Sequence, residues 1–194
     1  MADGLLLAAF PPELCGLDAA PPAGWRVATT GVGALAAAAT TARLLAEARP
    51  ARLLFVGTCG AYDARLPVGA LLSASTAIAV SLDVLCGRAY RPEIEVTRWE
   101  ATLPLPFPAH AVAVPPAITV DLAGAALLGA VAPAEHLELT GVFAAAHAAG
   151  VPVGAVLGVA NRVGPEAHAE WRANHAAVSR ALVAALAPVL AVGR

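Results

Sequence analysis

Charged residues are scarce in this sequence of 194 residues: they make up 13% of it, and the formal net charge is −2. That balance gives no electrostatic reason to expect binding to nucleic acid or to an anionic membrane. Long apolar runs are also missing, because proline, glycine clusters or charge interrupt every stretch of about 18 residues, and we expect no membrane-spanning segment. No basic region precedes the short apolar run near the start, so residues 1–4 predict no signal peptide.

Cysteine is rare too. Cys15, Cys59 and Cys86 are odd in number and show no CxxC spacing, which predicts reduced thiols in a cytoplasmic protein rather than disulfides or a zinc site. His136 and His147 have no metal-ligand companions, and His168 and His175, seven residues apart, could share a face of the last predicted helix. We therefore expect no bound metal, and satisfied or surface histidines instead.

Apolar residues dominate what is present, at 59% of the chain, with alanine as a large contributor. The length suits one compact domain over residues 1–194. Strands are predicted at 5–10, 25–30, 52–56, 71–84, 118–120 and 153–159, and helices at 34–48, 121–130, 135–149 and 165–190. The proline-rich segment 88–116 predicts edge strands and an excursion loop. This alternation favours an α/β fold with a mostly parallel or mixed sheet.

The central feature is the segment 52–63. Its apolar run Leu53 to Val56 predicts a strand buried on both faces, which ends in Gly57-Thr58-Cys59-Gly60. Glycines at that position would let a ligand approach the backbone at the carboxyl end of the strand. A plain strand-to-loop turn is the alternative.

A second glycine motif, Gly31-Val32-Gly33-Ala34-Leu35-Ala36, follows a predicted strand and precedes a predicted helix. It matches a dinucleotide fingerprint, but the next strand ends without the acidic residue that would hold a ribose. The helix N-terminus could still meet an anion or a polar ligand group. A tight strand-to-helix turn explains the motif equally well.

Three polar residues are candidates for a site. Glu138 lies within a predicted apolar helix, where Glu135 could share its face; Asn161 ends a predicted buried strand; Glu13 follows the first strand. For each, a solvated or turn-forming role stands beside the functional one.

Five segments, in this order, resemble the nucleoside phosphorylase/nucleosidase superfamily, which includes purine nucleoside phosphorylases, methylthioadenosine/adenosylhomocysteine nucleosidases and futalosine hydrolases. They are Thr30-Gly31-Val32-Gly33, Val56-Gly57-Thr58-Cys59-Gly60-Ala61, Leu66-Pro67-Val68-Gly69, Leu137-Glu138-Leu139-Thr140 and Val159-Ala160-Asn161. The likeness spans essentially the whole chain and includes Trp171. It implies a three-layer α/β/α sandwich with a central mixed sheet.

The resemblance also implies residue roles. Thr58 and the backbone after it would line the sugar or nucleophile side, Glu138 would bind the ribose hydroxyls, and Glu13 would orient water. Asn161 would contact the purine, and an asparagine suits a 6-oxopurine better than a 6-aminopurine. The remaining residues expected to bind substrate are Gly33, Cys59, Gly60, Ile118, Thr119 and Leu137.

Phosphorylases of the bacterial hexameric type carry an arginine two residues before the glycine–hydroxyl turn, where this sequence has Phe55. Arginine is the usual bidentate holder of phosphate, so a hydrolase is favoured, although Arg26 or Arg43 could supply the charge. The Phe-Pro-Pro-Glu segment that ends at Glu13 is more similar to futalosine hydrolases than to methylthioadenosine nucleosidases.

The resulting hypothesis is a cytoplasmic nucleosidase without metal or organic cofactor that hydrolyses a 6-oxopurine nucleoside, futalosine of menaquinone biosynthesis, and forms a homo-oligomer. A phosphate-dependent purine nucleoside phosphorylase is one alternative. A catalytically inactive nucleoside-binding protein is another, because Ala70 and Ala160 replace an aspartate and a serine that are common in the family.

Overall fold

The computed structural model describes residues 3–191. Both ends of the expected domain 1–194 therefore lie outside the described residues. The same holds for residues 1 and 2 of the segment 1–4, for which no signal peptide was predicted. Eight strands are present: β1 (Gly4–Ala8), β2 (Trp25–Thr29), β3 (Arg52–Ala61), β4 (Leu71–Ala79), β5 (Arg98–Glu100), β6 (Ala109–Val114), β7 (Ala134–Glu135) and β8 (Val153–Arg162). Five α-helices accompany them: α1 (Ala34–Ala48), α2 (Leu82–Leu85), α3 (Leu122–Gly129), α4 (Leu139–Ala148) and α5 (Ala167–Ala191). A 3₁₀ helix covers Pro11–Leu14.

The strands form one mixed sheet in the order β2-β1-β3-β7-β6-β4-β5, and β8 pairs with both β3 and β4. Strands β1, β2, β3 and β8 run parallel at one end, whereas β4 pairs antiparallel with β5 and β8, and β3 with β7. Because β8 links β3 to β4, the sheet curls and its central strands close into a ring. The predicted mixed α/β sheet is confirmed.

Helices cover both faces of the sheet. Helices α1 and α4 share one apolar core with the sheet, in which Phe55 and Phe143 are fully buried. Helix α5 packs through Leu182 and Leu186 into a second core on the opposite face. The molecule therefore has the α/β/α layering expected from the resemblance, with the sheet as the middle layer.

Helix α5 is long and apolar enough to pass a length-and-hydropathy test for a membrane span. Only 28% of its most apolar window is buried, and its buried residues include Val178, Leu182, Leu186 and Leu190. The core helix of a soluble protein also passes this test, so the result is weak evidence for a membrane-spanning helix. The helix continues through Pro188.

Strand β3 is longer than predicted. It runs through Gly57-Thr58-Cys59-Gly60 to Ala61, so the turn predicted there is wrong. Pairing explains the difference, because β8 follows β3 to its last residue and β7 joins at Gly60 and Ala61. These partners satisfy the backbone that a turn would have exposed.

Other parts of the chain also differ from the predictions. Strand β4 ends at Ala79, and the helix α2 occupies part of the predicted strand 71–84. In the segment 88–116, β5 lies at the edge of the sheet as predicted, whereas β6 is internal, between β4 and β7. Residues 118–120 form no strand, because the N–H of Thr119 bonds to the Glu135 side chain instead of a neighbouring strand.

Candidate active site

A cavity of about 360 Å³ opens at the carboxyl ends of β1, β3 and β8. Eight of the ten residues singled out in the sequence line it: Glu13, Thr58, Cys59, Gly60, Ile118, Leu137, Glu138 and Asn161. The other two, Gly33 and Thr119, bond to carboxylates that line it. The fold thus brings together residues that are up to about 150 positions apart in the chain.

Glu13 lies on the 3₁₀ helix that follows β1 and is only 3% exposed. Its Oε1 accepts hydrogen bonds from the N–H (2.8 Å) and hydroxyl (2.9 Å) of Thr58, and its Oε2 accepts one from the N–H of Ala9 (3.2 Å). Burial raises the pKa of Glu13 from 4.5 to about 7; the Thr58 bonds oppose the rise and the charge of Glu138 adds to it. A carboxylate that titrates near neutral pH suits a general base.

Thr58 connects Glu13 to the aromatic wall of the cavity. The indole N–H of Trp171 donates to Thr58 Oγ1 (3.1 Å), so the hydroxyl is directed toward Glu13. Trp171 stacks on His175, with centroids 4.2 Å apart, and lies 6.0 Å from the Phe10 ring. Sequence reasoning did not single out Phe10 as a site residue, although Phe10 begins the Phe-Pro-Pro-Glu segment that ends at Glu13.

Glu138 was expected within a helix, and that expectation is wrong: it immediately precedes α4, which begins at Leu139. The backbone N–H of Gly33, at the start of α1, donates to Glu138 Oε1 (2.7 Å). Gly33 has a φ of +92°, a conformation that glycine adopts without strain. The glycine motif at residues 31–36 thus binds a carboxylate of the protein itself, that of Glu138. The N-terminus of a helix favours a negatively charged group because its backbone N–H groups are unpaired there.

His136 is a site residue that the sequence reasoning missed. It is 4% exposed, its Nδ1 accepts from the N–H of Glu138 (3.1 Å), and the same nitrogen lies 3.1 Å from Glu138 Oε2. Burial lowers the pKa of His136, against the opposing charge of Glu138. The imidazole therefore stays neutral at pH 7 and fixes the backbone that carries Glu138. The sequence offered one indication that His136 belongs to the site, namely its position two residues before Glu138.

Asn161 lies near the end of β8 and is 8% exposed. A register shift in the β3–β8 pairing places Gly60 opposite Asn161. A Cβ on Gly60 would lie 3.0 Å from Asn161 Nδ2, so the amide rests directly over bare backbone. Its Nδ2 donates to the carbonyl of Arg162 (3.0 Å), which leaves a second N–H for a ligand.

Glu135, expected to share a helix face with Glu138, lies in β7 instead. It lines the cavity and accepts from the N–H of Thr119 (3.2 Å), the Thr119 hydroxyl and the Tyr62 hydroxyl (2.7 Å). These bonds hold the segment with Ile118 and Thr119 along the cavity. Sequence reasoning assigned Glu135 and Tyr62 no role in a site.

The lining has a distinct chemical character. Three carboxylates, one amide, the Thr58 hydroxyl and the rings of His136 and His168 lie among apolar side chains. Cys59 is a buried thiol whose pKa burial raises. Within residues 3–191 no arginine lines the cavity, and no group of three or more potential metal ligands occurs. Arg26 and Arg43 both pair with Glu47 on the surface, at 3.3 and 2.7 Å.

Comparison with known proteins gives consistent results. The family model described as the phosphorylase superfamily matches residues 25–132. The chain is 35% identical over 190 residues to the futalosine hydrolase of Streptomyces coelicolor, a match that covers 87% of this chain and 81% of the relative. The fold is similar to that of a futalosine hydrolase mutant of Helicobacter pylori, with a TM-score of 0.85, 15% identity and full coverage of both chains. It is also similar to the 5′-methylthioadenosine/S-adenosylhomocysteine nucleosidase of the same organism, with a TM-score of 0.84, 14% identity and coverage of 100% and 99%. The chain therefore belongs to the phosphorylase superfamily.

Proposed function

We propose that this protein is an N-glycosyl hydrolase that cleaves futalosine, a 6-oxopurine nucleoside, and releases hypoxanthine. The observation that carries the proposal is the pair of buried carboxylates, Glu13 and Glu138, in one cavity with the amide of Asn161. The 35% identity to a futalosine hydrolase supports the choice of substrate. Hydrolysis of futalosine places the protein in menaquinone biosynthesis.

Cleavage of an N-glycosidic bond builds positive charge on the ribose and negative charge on the leaving base. Glu138 supplies negative charge beside the sugar and accepts bonds from the ribose hydroxyls, as carboxylates do in glycoside hydrolysis. Glu13 accepts a proton from the attacking water, since its pKa of about 7 leaves much of it ionised at neutral pH. Asn161 donates an amide N–H to the base as its charge develops.

Water is the nucleophile in this proposal. A phosphate dianion would need a cation in the cavity, and arginine is the residue that commonly provides it. Among the described residues no arginine lines the cavity, and Phe55, at the position where hexameric phosphorylases carry one, is fully buried against His136. The proton chemistry uses side chains of the chain alone, and neither a metal nor an organic cofactor takes part.

Assembly as a homo-oligomer belongs to the same proposal. Apolar side chains stand exposed beside the cavity: Val32 is 62%, Leu35 87% and Ile118 53% exposed. A second copy that covers them would remove apolar surface from water and shield the reaction. A cytoplasmic location is consistent with the three free thiols, Cys15, Cys59 and Cys86.

The test is a chromatographic assay of purified protein with futalosine and with inosine, each with and without phosphate. Hypoxanthine release from futalosine in phosphate-free buffer is expected. A Glu138→Gln variant, which keeps the size of the side chain and loses its charge, is the matched control and should lose turnover. Release only in the presence of phosphate would overturn the hydrolase in favour of a phosphorylase, and binding without release would indicate a nucleoside-binding protein.

A further inference from the structure

Glu135 has no part in the proposed reaction, yet it is a buried carboxylate, 6% exposed, that lines the cavity. We propose that Glu135 determines base specificity: its carboxylate accepts a hydrogen bond from N1–H of a 6-oxopurine whose O6 receives the amide N–H of Asn161. This inference rests on the proposed function, because it names the part of the nucleoside that the cavity recognises.

The register of the sheet places Glu135 and Asn161 on either side of one bare backbone position. Gly60 pairs with Glu135 in the antiparallel β3–β7 ladder and with Asn161 in the parallel β3–β8 ladder. Residues directly opposite each other project to the same face of a sheet. Glu135, Gly60 and Asn161 therefore form a row across three adjacent strands, and the middle member has no side chain.

The row spans two strand spacings of the sheet. Adjacent strands lie about 4.8 Å apart, so the Cα atoms of Glu135 and Asn161 are about 10 Å apart. A Cβ on Gly60 would lie 2.8 Å from Val163 Cγ2 and 3.0 Å from Asn161 Nδ2, so both side chains lie against Gly60. The two side chains do not bond to each other: the amide nitrogen donates to Arg162, and the carboxylate accepts from Tyr62 and Thr119.

The hydrogen bonds of Glu135 leave it able to take one more donor. It accepts three, from the N–H and hydroxyl of Thr119 and from the hydroxyl of Tyr62, and an ionised carboxylate has about four acceptor positions. Burial, and then the charge of Glu135, raise the pKa of Tyr62, so its hydroxyl remains a donor. The three donors fix the orientation of the carboxylate.

The edge of a 6-oxopurine complements this arrangement. It presents an acceptor, O6, next to a donor, N1–H, which match the amide donor of Asn161 and the carboxylate acceptor of Glu135. A 6-aminopurine presents the reverse order, and its N1 lone pair would face a carboxylate. A base bearing a methyl group on N1 would leave the buried acceptor without its donor, a mismatch that binding sites reject strongly.

The experiment compares futalosine with its 6-amino and N1-methyl analogues, as kcat/KM, for the native protein and for Glu135→Gln. The native protein should prefer futalosine. The variant should lose about 10- to 100-fold toward futalosine and little toward the two analogues, because only futalosine offers N1–H to the carboxylate. Tyr62→Phe is the matched control: it removes one bond to Glu135 but keeps the carboxylate, and it should retain the preference for futalosine.

An equal loss toward all three substrates in Glu135→Gln, or no loss toward futalosine, would overturn the inference. Calorimetric binding of hypoxanthine and 1-methylhypoxanthine separates it from the proposed function. Suppose that the native protein cleaves no nucleoside but binds hypoxanthine at least tenfold more tightly than 1-methylhypoxanthine, and that Glu135→Gln abolishes this difference. Recognition of the base by Glu135 is then supported, and the proposed hydrolase activity is refuted. Equal binding of the two bases by the native protein would refute the role of Glu135.

Discussion

Hydrolysis by this protein should depend on pH through the ionisation of Glu13. Burial raises its pKa to about 7, partly offset by the bonds from Thr58, and a general base acts only when it is deprotonated. A group with that pKa is about 10% ionised at about pH 6 and about 90% ionised at about pH 8. We expect kcat/KM for futalosine to rise about tenfold over that interval and to level off above it.

Thr58→Val provides the perturbation that tests the assignment. It removes the hydroxyl that donates to Glu13 at 2.9 Å and keeps the backbone bond at 2.8 Å. A hydrogen bond to a charged group contributes about 1.5–3 kcal/mol, which corresponds to about one to two pKa units. Because Glu13 is only 3% exposed, solvent screens little of this effect.

The measurement is kcat/KM against pH, from about pH 5 to pH 9, for the native protein, Thr58→Val and the matched control Thr58→Ser. The inflection should move up by at least about one unit in Thr58→Val, because loss of the bond favours the protonated form of Glu13, and stay in place in Thr58→Ser. An inflection that is the same in all three proteins would refute the assignment of Glu13 as the base.

Stability should respond to the same carboxyl group. The pKa of Glu13 is higher in the folded protein, about 7, than its ordinary 4.5, so the folded state binds the proton more tightly. Its contribution to stability is therefore complete below about pH 4.5 and is lost as the pH rises through about 7, by about 3 kcal/mol in all. In urea unfolding at several pH values, the free energy of unfolding of Glu13→Gln should not show this decrease with rising pH. If it depends on pH as that of the native protein does, the raised pKa of Glu13 is contradicted.

Three further substitutions test the site and the packing that supports it. Glu138→Gln should lower kcat/KM at least about 100-fold and reduce the preference for ribose over 2′-deoxyribose substrates; an unchanged preference would argue against a contact with the hydroxyls. Gly60→Ala places a Cβ 2.8 Å from Val163 Cγ2 and 3.0 Å from Asn161 Nδ2, so it should displace both side chains and raise KM for futalosine; a normal KM would contradict the contact with the amide. Gly141→Ala should destabilise the fold by about 1–3 kcal/mol in urea unfolding, because its Cβ would overlap the carbonyl oxygen of Ala34 and push α1 away from α4; native stability would show that the helices yield.

Local sequence determined much of the secondary structure. Helix α1 spans the predicted residues 34–48, because alanine and leucine are strong helix formers and Pro50 follows the helix. Strands β1, β2 and β8 also lie where apolar runs predicted them. In each case neighbouring residues carry the signal, through propensity and through the turn residues that bound the segment.

The resemblance supplied most of the candidate site before any contact was known. Glu13, Thr58, Glu138 and Asn161 all line one cavity. Their pKa values, hydrogen bonds and partners were beyond reach, since these depend on burial and on groups distant in the chain. Trp171, for example, donates to Thr58 across 113 positions.

Tertiary pairing decided what the sequence by itself could not. The sequence predicted one helix over residues 135–149, yet Glu135 pairs with Gly60 and lies in β7, and α4 begins only at Leu139. The glycines of β3 read locally as a turn, yet two neighbouring strands keep them extended. Strand pairing joins residues that are remote in sequence, so no local sequence pattern reports its free energy. Here the pairing places Glu135 and Asn161 on either side of Gly60.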